Sequence, residues 1–310
     1  MVVIFLIITL AMGLLVPIQT AANSRLRMTV GQAYVSTLIS FTVSTLFLLL
    51  VAAVAGIPIL PTAEMLHAAP WWSWFGGIIA LLTITCAIYL FKELGQLQAT
   101  IIPLFSQLLF SLAIDHFGWF GSRVIPMDGK RLMGALLLIV GIVLVVVLPR
   151  LRGQQTAGSA KGMRMVFWQL CAIVSGCLMA SIGAIYALLG SVIGSAVQAS
   201  TVSFIIATAA MLVFCLCSGN MRQVRKAFDR SCPWWMWLGG ICGAITVYGN
   251  AWLIPKIGVG LFAMLLLIGQ LLLSLLMEQR GWLGAPRKRI TALQVIGLVL
   301  MLVGVALIRL

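Results

Sequence analysis

Pro70-Trp71-Trp72-Ser73-Trp74-Phe75-Gly76-Gly77 returns 163 residues later as Pro233-Trp234-Trp235-Met236-Trp237-Leu238-Gly239-Gly240. The same offset pairs Gly13 with Gly176, Gly31 with Gly194, Ser40-Phe41 with Ser203-Phe204 and Gly56 with Gly219. It continues through Gln107-Leu108-Leu109 and Gln270-Leu271-Leu272, then Gly118-Trp119-Phe120-Gly121 and Gly281-Trp282-Leu283-Gly284. Gly134 and Gly141 meet Gly297 and Gly304 in the same way, so residues 1–147 align without a gap onto 164–310. Apolar composition produces chance leucine matches, but shared Pro-Trp-Trp, Gly and Gln positions indicate an internal duplication.

Composition places this repeat in a membrane. The 310 residues are 62% hydrophobic and 8% charged, with a mean hydropathy of +1.16. A soluble domain carries about 25% charged residues, and disorder requires low hydrophobicity, so both classes are excluded. A membrane span needs about 20 consecutive apolar residues. Apolar runs read against turn and charge signals predict ten transmembrane helices near 2–22, 31–55, 71–91, 97–115, 131–149, 165–189, 195–217, 234–254, 258–277 and 292–309. The first run lacks a basic flank, contains Pro17 and Gln19, and is the counterpart of an internal helix. We therefore expect it to be retained rather than removed as a secretory signal.

Five helices per repeat is an odd number, so the second repeat enters the membrane upside down relative to the first. The expected architecture is an all-α membrane protein of ten transmembrane helices in two inverted five-helix repeats, 1–149 and 164–310, joined by a cytoplasmic linker at 150–163. Fifteen of the 20 Lys and Arg fall in the connections of one side and five on the other. That bias puts the richer side in the cytoplasm and both termini on the non-cytoplasmic side. The net charge of +14 thus orients the chain and forms no face for nucleic acid. Six of the seven cysteines lie inside apolar runs, and Cys215 and Cys217 project to nearly opposite sides of one helix. They read as small buried residues, and no metal or cofactor is expected.

Three stretches carry a family resemblance: Gly13-Leu14-Leu15-Val16-Pro17-Ile18-Gln19 with Asn23 and Arg25, the Pro70–Gly77 block, and Ser106-Gln107-Leu108-Leu109-Phe110-Ser111 followed by Asp115-His116-Phe117-Gly118. The chain resembles the drug/metabolite transporter superfamily and, within it, the YdcZ-type branch. The resemblance covers the whole chain and implies two fused, antiparallel five-helix units in the inner membrane. It also implies transport of small metabolites or drugs, often outward. The second half departs from the first-helix motif, since Pro17, Gln19 and Asn23 correspond to Ala180, Ile182 and Tyr186. The related small multidrug transporters rely on a first-helix carboxylate, and Gln19 stands in that neighbourhood here. Proton-coupled cation export by that route is disfavoured, because no ionisable residue falls deep within a predicted span.

The strongest candidate site lies on the fourth and ninth helices. Gln107 and Gln270 each fall near the middle of a span, where inverted-repeat transporters hold their substrate. Each is followed four and eight residues on, by Ser111 and Asp115 and by Ser274 and Glu278. Steps of four keep to one helical face, so each half carries a polar line from midplane to one mouth, Asp115 opening outward and Glu278 inward. Alternatively these groups hydrogen-bond across helix interfaces for roughly 0.6–2 kcal/mol, with the acids marking helix ends. Gln19 and Asn23 share a face beyond Pro17, which can free a carbonyl for ligand or simply end the helix with Asn23 as cap. Pro103 can kink the fourth helix one turn before Gln107, and Asn250 is the member of the Tyr248-Asn250-Trp252 patch that suits a cavity. The tryptophan clusters read as an aromatic belt. The paired glycines of the fifth and tenth helices suit contact between the halves, in a monomer or a homodimer.

These features predict a transporter, in the sense of an exporter, of a small neutral, zwitterionic or amphipathic metabolite. It would work by alternating access around a midplane site, in contact with membrane lipids. A lipid flippase and a non-transporting membrane scaffold subunit stay open as alternatives. An enzyme is not expected, because no Ser-His-Asp set or intramembrane carboxylate pair is present.

Overall fold

The computed structural model describes residues 2–148, 161–228, 233–284, 287 and 290–309. Among these there are only helices and connections: α1 (Val2–Val30), α2 (Ala33–Val54), a short α3 (Ala63–Ala68), α4 (Gly76–Phe117) and α5 (Gly129–Ile142), which widens into a π turn at Val143–Val147. The second half contributes α6 (Met163–Ile193), α7 (Ala196–Cys217), α8 (Leu238–Ile257), α9 (Val259–Arg280) and α10 (Ala292–Arg309). Eight helical segments among the described residues are long and apolar enough to cross a membrane, and 71–87 and 292–308 are shorter apolar helices. Most of the expected linker, and Arg150, Arg152, Arg230, Lys288 and Arg289, lie outside the described residues.

Three expectations about helix ends need correction. The first helix does not stop at 22 or break at Pro17. It runs through the proline to Val30, and Asn23 lies inside it rather than capping it. Polar residues from Asn23 to Arg27 end an apolar run but do not oppose helix. The stop comes at Gly31 (φ 78°), whose N–H reaches the Arg27 carbonyl at 2.8 Å, and α6 ends likewise at Gly194 (φ 75°). The expected loop between the third and fourth helices is a single residue. Gly95 (φ 74°, ψ 172°) divides α4 into limbs 76–94 and 96–117, as Gly258 (φ 90°, ψ 159°), its repeat counterpart, divides α8 from α9. Positive φ with extended ψ is open to glycine almost alone, so the bend sits there and not at Pro103, which lies inside the helix.

The halves interlock. In the first half α1 packs against α8 and α9 of the second, while α6 packs against both limbs of α4. Many of these contacts are reciprocal at the 163-residue offset. A side chain on Gly13 would strike the Leu266 carbonyl and Gly269, and one on Gly176 would strike the Pro103 carbonyl and Ser106. Phe41 meets Phe204 ring to ring at 5.7 Å, and the Thr45 and Thr208 hydroxyls bond at 2.8 Å. Along α5 and α10, Gly134 faces Gly304 and Gly141 faces Gly297, so these helices run antiparallel. Lipid offers apolar side chains little reason to associate, and backbone approach through small residues supplies the dispersion contact instead. Serine and threonine hydroxyls on α2 and α7 mostly bond to carbonyls four residues back, as Ser44 does to Ser40 at 2.9 Å and Ser203 to Ala199 at 2.8 Å. That removes their polarity from the hydrocarbon.

Candidate functional site

Limb 96–117 of α4 and α9 run antiparallel and face each other at mid-length. There Gln107 and Gln270 line one narrow cavity of about 30 Å³ with Leu104, Leu108, Leu266 and Leu267. Such a space holds about one water. The two amides are therefore brought together at a constriction between apolar walls.

The two ends of this helix pair differ. Toward Glu278 lies a cavity of about 770 Å³ that shares Gln270 with the constriction, within the range of small-molecule sites. Gln270, Ser274 and Glu278 line its α9 side, so the polar line expected from their spacing faces open space. Opposite them α1 presents Pro17, Thr20, Ser24, Arg25 and Met28. These positions recur at helical spacing, and α1 can lie close to α9 because Gly13 meets Gly269. Trp235 and Leu283 complete the rim. Glu278 is half-buried and Arg25 exposed.

Toward Asp115 the path is shut. The Asp115 side chain is 1% exposed, and its two oxygens accept hydrogen bonds from the backbone N–H groups of Val259 and Gly260, each at 2.8 Å. A carboxylate at the first turn of α9 meets the orphan donors and positive end of the helix dipole. The Asp115 carbonyl also accepts from Ile125 at 2.7 Å, while His116 Nδ1 accepts from Met127 at 3.0 Å. These bonds fold residues 118–127 over the end of the pair. Asp115 is thus no open acidic mouth, contrary to the expectation from spacing. Ser111 is buried and donates to the Leu108 carbonyl at 2.7 Å. A separate cavity of about 210 Å³ lies beyond the cap, bordered by Arg123, Leu188 and Gly258, and neither Gln107 nor Ser111 reaches it.

Gln19 and Asn23 turn away from the large cavity. Asn23 Oδ1 accepts from the Ser40 hydroxyl at 2.5 Å and its carbonyl from Ser36 at 3.0 Å, and the side chain covers Gly239. Gln19 lies against Gly243. Both therefore join α1 to α2 and α8. Asn250 faces Gly183 of α6 and borders none of the three cavities. Pro17 lines the large cavity, whereas the Pro103 carbonyl faces Gly176. Reading the sequence missed Thr20, Ser24 and Arg25, although their spacing from Pro17 marks one helical face. Trp235, which the sequence pattern puts in the aromatic belt, borders the cavity, unlike Trp234, which is 75% exposed. Among the described residues no group of three or more His, Cys, Asp or Glu is placed to hold a metal ion.

A family profile described as "Putative inner membrane exporter, YdcZ" matches residues 4–144 and again 167–307. The chain belongs to the YdcZ family of drug/metabolite transporters. It carries that unit twice, as the 163-residue repeat requires, and is a multi-pass inner-membrane protein of a transporter family. No curated protein matches the chain. A solved structure described as "Crystal structure of protein" shares the fold of this YdcZ-family chain with a TM-score of 0.68. It is 17% identical over 98% of this chain and 95% of that one, a likeness that carries the fold alone.

Proposed function

We propose that the protein is a ten-span secondary transporter, acting as an exporter, that moves a small neutral, zwitterionic or amphipathic metabolite by alternating access around Gln107 and Gln270. The observation that carries this reading is the contrast along one polar line and its repeat. Gln270, Ser274 and Glu278 border a cavity of about 770 Å³, while Gln107, Ser111 and Asp115 lead to a sealed end. Two inverted repeats, 1–149 and 164–310, would exchange these conditions. In the opposite state Glu278 caps the backbone N–H groups of Gln96 and Leu97, the counterparts of Val259 and Gly260, and Asp115 is released. The glycine hinges at Gly95 and Gly258 are the matching points of bending. Because α1 packs on α8 and α9 and α6 on α4, the moving bodies mix helices from both sequence halves.

Read by the bias of Lys and Arg, both termini would lie on the non-cytoplasmic side, and the open cavity would then face the cytoplasm, the loading side of an exporter. The glycine faces of α5 and α10 meet within one chain, and a monomer suffices. A thermal-shift screen of amino acids, amines, nucleosides, sugars and amphipathic cations tests the reading. A saturating ligand at about 100 times its dissociation constant stabilises by roughly 2.7 kcal/mol. The shift should vanish in Gln107→Ala and Gln270→Ala while their unliganded melting stays put. A shift that survives both substitutions makes the glutamines packing residues. Lipid-only stabilisation points instead to a flippase or scaffold.

A further inference from the structure

We infer that the large cavity is a zwitterion site, in which Glu278 holds the ammonium group of the substrate, Arg25 its carboxylate, and the apolar rim its side group. This rests on the transport reading and narrows its substrate class.

Several charged side chains among the described residues are engaged within the fold. Asp115 is taken up by two backbone donors, Glu93 by Arg164 at 2.8 Å, and Asp128 by the Arg131 N–H at 2.8 Å. Lys256 lies over the rings of Trp252 and Phe5 at 4.0 and 4.7 Å, and Arg280 over Trp282 at 4.9 Å. Arg25 and Glu278 are set apart by their place, as opposite charges that line the same cavity. They stand on separate walls of one cavity, one on α1 and the other on α9. Among the described residues, neither side chain has a hydrogen-bond, ion-pair or ring partner, and the two do not pair with each other. Opposite charges held apart in one cavity select a ligand that answers both. A purely cationic ligand gains Glu278 but meets Arg25, and a purely anionic one the reverse, so each carries a like-charge cost that a zwitterion avoids.

The cavity lining agrees. Pro17, Met28, Trp235 and Met277 supply apolar and aromatic surface in the same cavity, whose volume of about 770 Å³ leaves room for a side group beyond a bare zwitterion. From Glu278 the α9 wall continues inward through Ser274 to Gln270 in steps of four residues, about 6 Å each. An ammonium group that leaves the carboxylate thus finds a hydroxyl and then an amide oxygen on its way to the constriction. Repeat symmetry also explains why Glu278 is available on this side. Its counterpart Asp115 is the acid used to close the other end. The counterpart of Arg25 is Leu188, so the carboxylate-binding charge belongs to one side only.

The test uses the purified full chain and matched triplets of probes: free L-leucine, L-methionine and L-tryptophan, their methyl esters, which keep only the ammonium, and their N-acetyl forms, which keep only the carboxylate. At least one free zwitterion should bind the wild type about tenfold or more tighter than both of its derivatives. Arg25→Gln should erase the preference over the ester and Glu278→Gln the preference over the N-acetyl form. Arg25→Lys and Glu278→Asp should retain part of it, which separates charge recognition from misfolding. Binding of an ester or N-acetyl form as tight as its parent overturns the assignment, as does a set in which no zwitterion binds. Failure of the transport reading is seen separately. A zwitterion that binds with these preferences but is not moved across proteoliposomes, or is unaffected by Gln107→Ala and Gln270→Ala, leaves the charge pair standing and removes the midplane pathway.

Discussion

The Asp115 end and the Glu278 end of the α4–α9 pair occupy equivalent positions in the two repeats and carry the same functional group, yet one is sealed and the other open. At the sealed end a carboxylate grips the first turn of the facing helix. At the open end the carboxylate borders a cavity of about 770 Å³. Along the α4–α9 pair itself each repeat supplies a glycine hinge, a mid-helix glutamine, a serine and an acid in the same order, while the α1 wall of the open end carries Pro17 and Arg25 where its counterpart has Ala180 and Leu188. On the proposed transport reading, corresponding acids in opposite conditions are what one of two exchangeable states would show.

Substitutions at the sealed end should therefore cost more than their counterparts at the open end. The largest effect is expected at Gly258. Its backbone lies in a region nearly exclusive to glycine, and a side chain would press on Asp115 and Ile125. Gly258→Val should destabilise by about 3 kcal/mol or more, seen as a lowered melting temperature in detergent. Asp115→Asn comes next. It leaves two donors of α9 with one neutral acceptor and should cost roughly 1–3 kcal/mol. The same substitution should raise access to the Ser111 side. Asn23→Ala removes the bond from Ser40 and should cost about 1 kcal/mol, with substrate preference unchanged because Asn23 faces α2 and α8. Glu278→Gln should change unliganded stability by less than about 0.5 kcal/mol. If Glu278→Gln destabilises as much as Asp115→Asn, the two ends are alike and the comparison fails.

Much of this was legible in the sequence for a physical reason. Glycine, proline, tryptophan and glutamine are costly or special in a span, so their recurrence at one offset exposes the duplication and the spacing of the polar lines. Gln107 and Gln270 do line one cavity, because antiparallel helices of equal length cross at their centres. Other features depend on contacts between distant segments. Gln19 and Asn23 share a helical face, but which face meets the cavity is decided by where α8 packs, and Gly239 and Gly243 draw that face inward. Arg25 reads as a topological charge because its partner wall lies more than 240 residues away. Gly95 reads as the centre of a charged loop, since a one-residue bend and a short turn look alike in sequence. The interlocking of the halves is likewise invisible until α1 is seen against α8 and α9.

The most direct test of the central claim is paired cysteine accessibility at the two counterpart serines. Ser111→Cys and Ser274→Cys would be placed in a background with the native cysteines replaced, and each treated with a water-soluble thiol reagent. The account predicts fast labelling at 274 and slow labelling at 111, with Asp115→Asn raising the rate at 111. Equal rates at the two positions, or faster labelling at 111 in the unsubstituted background, would contradict it.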